Sequence, residues 1–155
     1  LAKGPRTVEA LAALPALATT NPSVCVDTIN LLLCLRYLIA VQPGEMAATA
    51  RQRAAALNRA LMARATAGRY VAALASPVVG SGIEVDRADV LFLAAQAAGE
   101  ALPAFAWAAL QRGGISLTCD GKVLAGDDAH LQELAKRATA FSESRLPLYR
   151  TLGLA

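Results

Sequence analysis

The chain has 155 residues, of which 55% are hydrophobic and only 5% aromatic, and its formal charge is +3. That length suits one domain with enough chain to bury a core. High apolar content with little charge excludes a disordered chain, and the heavy use of alanine points to close-packed helices, not a sandwich of β-branched strands.

Helical spacing runs through Val8, Leu11, Leu14 and Leu17, and Pro15 weakens the end of this first segment. Asn21-Pro22 reads as an N-cap followed by proline at the first helical position. The helix it opens is expected to run to about Val41 and to stop at Gln42-Pro43-Gly44. Its run from Val24 to Val41 is apolar but carries Asp27 and Arg36, so it reads as a buried core helix and not a membrane span. A second long helix is expected from Glu45 to about Ala67. Gly68 caps it or bends it before a further turn over Arg69 to Ala75.

Ser76 to Gly82 contains proline, glycine and serine and reads as a linker, a possible subdivision of a single domain over residues 1–155. Asp86 follows as an N-cap, with Asp89 three residues on in the manner of a capping box. Its helix is expected over Arg87 to about Leu102, and Pro103 starts a shorter one that ends at Gly113-Gly114. The period then changes. Ile115, Leu117 and Cys119 alternate with polar residues, Asp120-Gly121 makes a turn, and Lys122 to Ala125 follow, which is a hairpin signal. Asp127 opens a last long helix with Leu131, Leu134, Ala138 and Phe141 on one face, and Pro147 sets off a short tail. The expected fold is mainly α, a bundle-like helical domain with one short β-hairpin near 115–124.

Charge is uneven along this layout. Residues 1–75 hold eight bases and three acids, a net +5, whereas residues 76–155 hold seven bases and nine acids, a net −2. The imbalance concentrates in Arg51, Arg53, Arg59, Arg64 and Arg69, which face a single carboxylate, Glu45, over the same stretch. At about 100° per residue, Ala50, Ala54, Leu57, Leu61 and Gly68 fall in one narrow apolar stripe. Arg53 and Arg64 lie on one flank of that stripe and Arg51 and Arg69 on the other, with Arg59 on the polar face. Such a helix packs by its small residues and presents guanidinium groups to a partner. A protein partner, with an acidic surface or a second copy of the chain, is therefore expected at these five arginines, and Trp107 is a further candidate anchor.

The order helix, turn, short helix, hairpin over 87–124 resembles that of a winged-helix module, which makes nucleic-acid binding the alternative. Only Gln111 and Arg112 on the second helix have the chemistry to read a base, and no aromatics interleave with the arginines for stacking. A membrane-surface role is disfavoured, because alanine makes a poor insertion face.

Catalytic chemistry finds no support in the sequence. The sole histidine, His130, stands near Asp127, Asp128 and Glu133, but the two aspartates suit a helix N-terminus and no second ligand cluster exists. Gly80-Ser81-Gly82 lacks the lysine of a phosphate-binding loop. Cys25, Cys34 and Cys119 form no disulfide framework or zinc spacing and lean towards a reducing interior. The expectation is a non-enzymatic binding or assembly module without cofactor or metal. Starting at Leu1, the chain reads as a domain of a larger polypeptide or a processed product.

Overall fold

A computed structural model describes residues 5–17 and 20–155. The protein is mainly helical, and it divides into two compact units, Leu1–Gln42 and Pro43–Ala155.

The first unit holds α1 (Val8–Ala12) and α2 (Pro22–Cys34). Thr7 caps α1 by accepting from the Ala10 N–H at 3.1 Å. Asn21 caps α2 by accepting from the Ser23 N–H at 3.0 Å, with Pro22 at the first helical position. The helix ends seven residues earlier than the apolar run implies. Arg36 takes a left-handed conformation at φ 60°, and the Tyr37 N–H reaches back to the Leu32 carbonyl at 2.9 Å. This is a Schellman closure with arginine where glycine is usual. Only Cys25 is buried among the described residues of this unit, while Val24, Val26, Leu31 and Leu35 are exposed. The expectation of a core helix is thus corrected: an apolar run is not a packed one.

The second unit begins with α3 (Gly44–Thr66) and an antiparallel hairpin, β1 (Ala73–Ser76) and β2 (Ser81–Glu84). Then come α4 (Arg87–Ala98), α5 (Leu102–Arg112), a second small hairpin of β3 (Thr118–Cys119) and β4 (Lys122–Val123), and α6 (Asp127–Ala140). A π-helical turn over Phe141–Arg145 leads into α7 (Leu146–Thr151). The hairpin expected near 115–124 is present. The one at 73–84 replaces an expected helical turn and linker. Its turn residues Ser76 and Pro77 are buried, and Ala75 pairs with Gly82 across the ladder.

Helix α4 is the centre. Eight consecutive residues, Ala88 to Ala95, are buried, as a helix apolar on every side requires. α3, α5 and α6 pack around it, and Phe92, Leu110, Leu134, Phe141 and Leu146 fill the space between. Asp86 caps α4 as expected, accepting from the Ala88 N–H at 2.9 Å, and Gly99 at φ 71° ends it. Where α3 and α5 finish, Gly68 and Gly113 touch backbone to backbone. A Cβ on Gly68 would stand 2.7 Å from the Gly113 Cα, so the approach needs glycine. Pro147 starts α7 and not a tail, for the π turn supplies the place where its missing N–H is tolerated.

Asn58, in the middle of α3, is 2% exposed. Its side-chain amide donates to the Ala75 carbonyl at 2.9 Å, and its oxygen accepts from the Ala75 N–H at 2.7 Å. One side chain thereby satisfies both backbone groups on the open edge of β1, as a neighbouring strand would. Asn58→Ala leaves a buried donor and acceptor unpaired and is expected to lower unfolding free energy by about 2–3 kcal/mol. Urea denaturation at neutral pH, with circular dichroism as the signal, measures this.

Candidate functional site: the arginine helix and its cleft

Four of the five arginines stand on α3, which runs unbroken through Arg51, Arg53, Arg59 and Arg64. Arg69 lies beyond the end of the helix, after the left-handed turn at Gly68, and is carried on the approach to β1. All five side chains are exposed, and among the described residues none forms an ion pair.

The buried face of α3 consists of Ala47, Ala54, Asn58 and Ala65. It is rotated from the stripe expected from hydropathy: Leu57 is 51% exposed, and polar Asn58 takes the inward position. The cause is the hairpin, which offers Asn58 two backbone hydrogen bonds that no apolar side chain can make. The rotation separates the arginines. Arg59 and Met62 turn towards α4, while Arg53 and Arg64 lie about 120–140° round the helix from Arg59.

A cleft of about 500 Å³ opens between α3, the second half of α4 and the segment after α7. Asn58 and Met62 line it from α3, Leu93 and Gln96 from α4, and its only charged side chains are Arg59 and Arg150. Arg150 went unnoticed in the sequence because it stands apart from the other bases.

Trp107 does not serve as an exposed anchor. It is buried in the core, stacked on the His130 ring at 4.0 Å between centroids and 17° between planes. Among the described residues, Trp107 Nε1 and His130 Nδ1 find no hydrogen-bond partner. The interface candidate therefore falls, because the shell of α5 and α6 closes over the ring. The two base-reading candidates of the winged-helix reading each make a hydrogen bond within the protein. Arg112 donates to the Thr66 carbonyl at the end of α3 at 3.1 Å, and Gln111 donates to Asp127 at 3.3 Å.

The sequence also concealed a buried charge. Asp89, expected three residues after the Asp86 N-cap as the second member of a capping box, points inwards at 3% exposure. One carboxylate oxygen accepts from Arg145 Nη1 at 2.7 Å and from the Tyr149 hydroxyl at 2.6 Å. The π turn makes this possible. One extra residue in the turn sets everything after it back by about 100°, which brings Tyr149 beneath Phe141, with centroids 6.2 Å apart. A polar recess of about 510 Å³ lies outside this group, bounded by Tyr70, Glu84, Asp86, Arg87, Arg145 and Tyr149. The Arg87 guanidinium lies over the Tyr70 ring at 5.0 Å.

No protein-family model matches the chain, and no solved structure matches it. The chain is similar to the uncharacterized protein sll1526 of Synechocystis, with 35% identity over 99 residues. That alignment takes in 64% of this chain and 20% of the relative, so the chain spans about a fifth of the relative's length.

Burial, and then the bond to Asp89, raise the Tyr149 phenol well above its ordinary value. The native state thus keeps a proton that the unfolded chain gives up near pH ~10. Stability should be unaffected by this group below that pH and should fall as pH rises above it. Tyr149→Phe removes the titration, so its stability should decline less steeply from pH 9 to 11, as thermal melts across that range would show.

Proposed function

We propose that the chain is a non-enzymatic binding or assembly module that recognises another protein through the basic, arginine-rich helix α3. The observation that carries this reading is a helix with four exposed arginines and no acid of its own chain, among the described residues, pairing with any of them. Guanidinium groups are planar, weakly hydrated for a cation and matched to carboxylates by two parallel hydrogen bonds. Interfaces enrich them for that reason. Held on a helix, they dock without ordering any backbone, and the cost that remains is about 0.5–1.5 kcal/mol for each side chain immobilised.

Nucleic acid is the competing partner for such a face, but the phosphate backbone rewards several bases turned one way. Here the arginines divide between two flanks of α3, and Gln111 and Arg112 are engaged within the protein. No helix among the described residues is long and apolar enough to cross a membrane.

The test is chemical crosslinking and co-precipitation from an extract of the source cells, comparing wild type with Arg59→Glu/Arg64→Glu, one reversal from each flank. Circular dichroism should show the variant folded. The wild type is expected to retain a partner that the variant loses at least about fivefold. Equal recovery by both would refute the arginine-face reading. A linear, steep fall of log affinity for duplex DNA with log salt would replace it with phosphate binding.

A further inference from the structure

Resting on that reading, we propose that the docking point is the cleft between α3 and α4, and that its occupant is an acidic amphipathic helix of a partner protein. Three features of the cleft select this chemistry. Its inner wall is apolar, supplied by Met62 of α3 and by Leu93 of α4, which is 3% exposed. Its rim carries two guanidinium groups, Arg59 and Arg150, with the amide side chain of Gln96 beside them, the main chain of Gly153 to Ala155 along one border, and no aspartate or glutamate side chain in the lining. The one polar side chain deeper in, Asn58, spends its amide on both backbone groups of Ala75. The depth therefore favours an aliphatic side chain and the edge favours carboxylates.

The volume, about 500 Å³, is in the range of preformed pockets and accepts side chains rather than a whole chain segment. A helix laid along α3 offers such groups from one face: leucines at i and i+4 directed inwards, and glutamates on either flank reaching the two arginines. Neither component suffices alone. Exposed ion pairs are worth little in water. They gain once apolar contacts at the centre exclude solvent from the contact. A free phosphate or nucleic acid would meet the guanidinium groups but leave the apolar wall wet.

Because α3 divides its arginines, the cleft and the rest of the helix can be told apart. Arg59→Glu or Arg150→Glu alters the cleft rim. Arg53→Glu or Arg64→Glu changes net charge by the same amount on the far side of α3.

The probe is a fluorescein-labelled helical peptide of roughly 18 residues, with leucines on one face and glutamates on its flanks, and a counterpart with glutamine for every glutamate. Fluorescence anisotropy gives the affinities, and backbone amide shifts of the 15N-labelled full chain locate the contact. The glutamate peptide should bind about tenfold tighter than the glutamine one. Arg59→Glu and Arg150→Glu should each weaken it about tenfold, while Arg53→Glu and Arg64→Glu should stay within about twofold. Shifts should cluster at Met62, Gln96 and Gly153.

If the Arg53 and Arg64 reversals weaken binding as much as that of Arg59, the cleft proposal fails and the broader arginine-face reading stands. Equal affinity for the two peptides would overturn acidic recognition. No binding of either peptide at about 100 μM, a concentration that still reveals weak docking, overturns the cleft as a peptide site, and the co-precipitation experiment then judges α3 independently. Sedimentation of the wild type as a dimer, with shifts at the same residues, would assign the cleft to a second copy and overturn the proposal.

Discussion

Two hydrogen bonds from Asn58 decide the geometry of the second unit. A two-stranded hairpin is marginal by itself, and β1 would leave backbone groups unpaired on its open edge. The Asn58 amide covers that edge at Ala75 and so fixes both the position of the hairpin and the rotation of α3 about its own axis. With α3 turned to place Asn58 inwards, Arg59 and Met62 border α4, and Arg53 and Arg64 look away. A leucine at position 58 would bury more apolar area but would strand the Ala75 N–H and carbonyl. Buried polar groups without partners cost more than a methyl group contributes.

A second polar group fixes the other side of α4. Asp89 is surrounded by core, and a carboxylate taken out of water needs partners of good geometry. Arg145 and Tyr149 provide them across 56 and 60 residues of sequence. They come into line because the helix path through Phe141–Arg145 contains a π turn. The hydroxyls of Ser142 and Ser144 bond back to the Ala138 and Ala140 carbonyls, at 2.8 and 2.6 Å, and satisfy acceptors near this irregular turn. Such local bonds compete with regular helical ones and suit a place where the regular pattern is interrupted.

Punctuation was the legible part of the sequence. Asn21-Pro22, Asp86 and the Asp120-Gly121 turn each stand where local chemistry places them, and the apolar face of α6 follows its period. The strand at Ala73–Ser76 is hidden because alanine and leucine favour helix, and only non-local contacts, the ladder with β2 and the two bonds with Asn58, hold the segment extended. The Ser76–Gly82 stretch has linker composition, yet its turn is buried. Composition reports local preference and is silent on what packs above. Asp89 satisfied a capping-box spacing while serving a different partner, and a π turn has no sequence signature of its own. For the candidate site, the four helical arginines were legible by charge alone. Arg69 lies past the helix end expected near Ala67, Trp107 is core and not an exposed anchor, and Arg150 becomes visible only where the fold brings it beside Arg59.

Ser76 donates its hydroxyl to the Leu152 carbonyl at 2.7 Å, and Gly153, at φ 73°, lies where any Cβ would strike the Pro77 ring. These partners are 76 residues apart. A contact of such long range closes a large loop, whose conformational-entropy cost must be met before the contact contributes. On the ribosome, α3, the hairpin and α4 all emerge before the residues that latch the turn. Throughout that interval the Ser76 hydroxyl lacks its Leu152 acceptor, so the β1–β2 turn completes its side-chain bonding only once the C-terminal segment has left the exit tunnel.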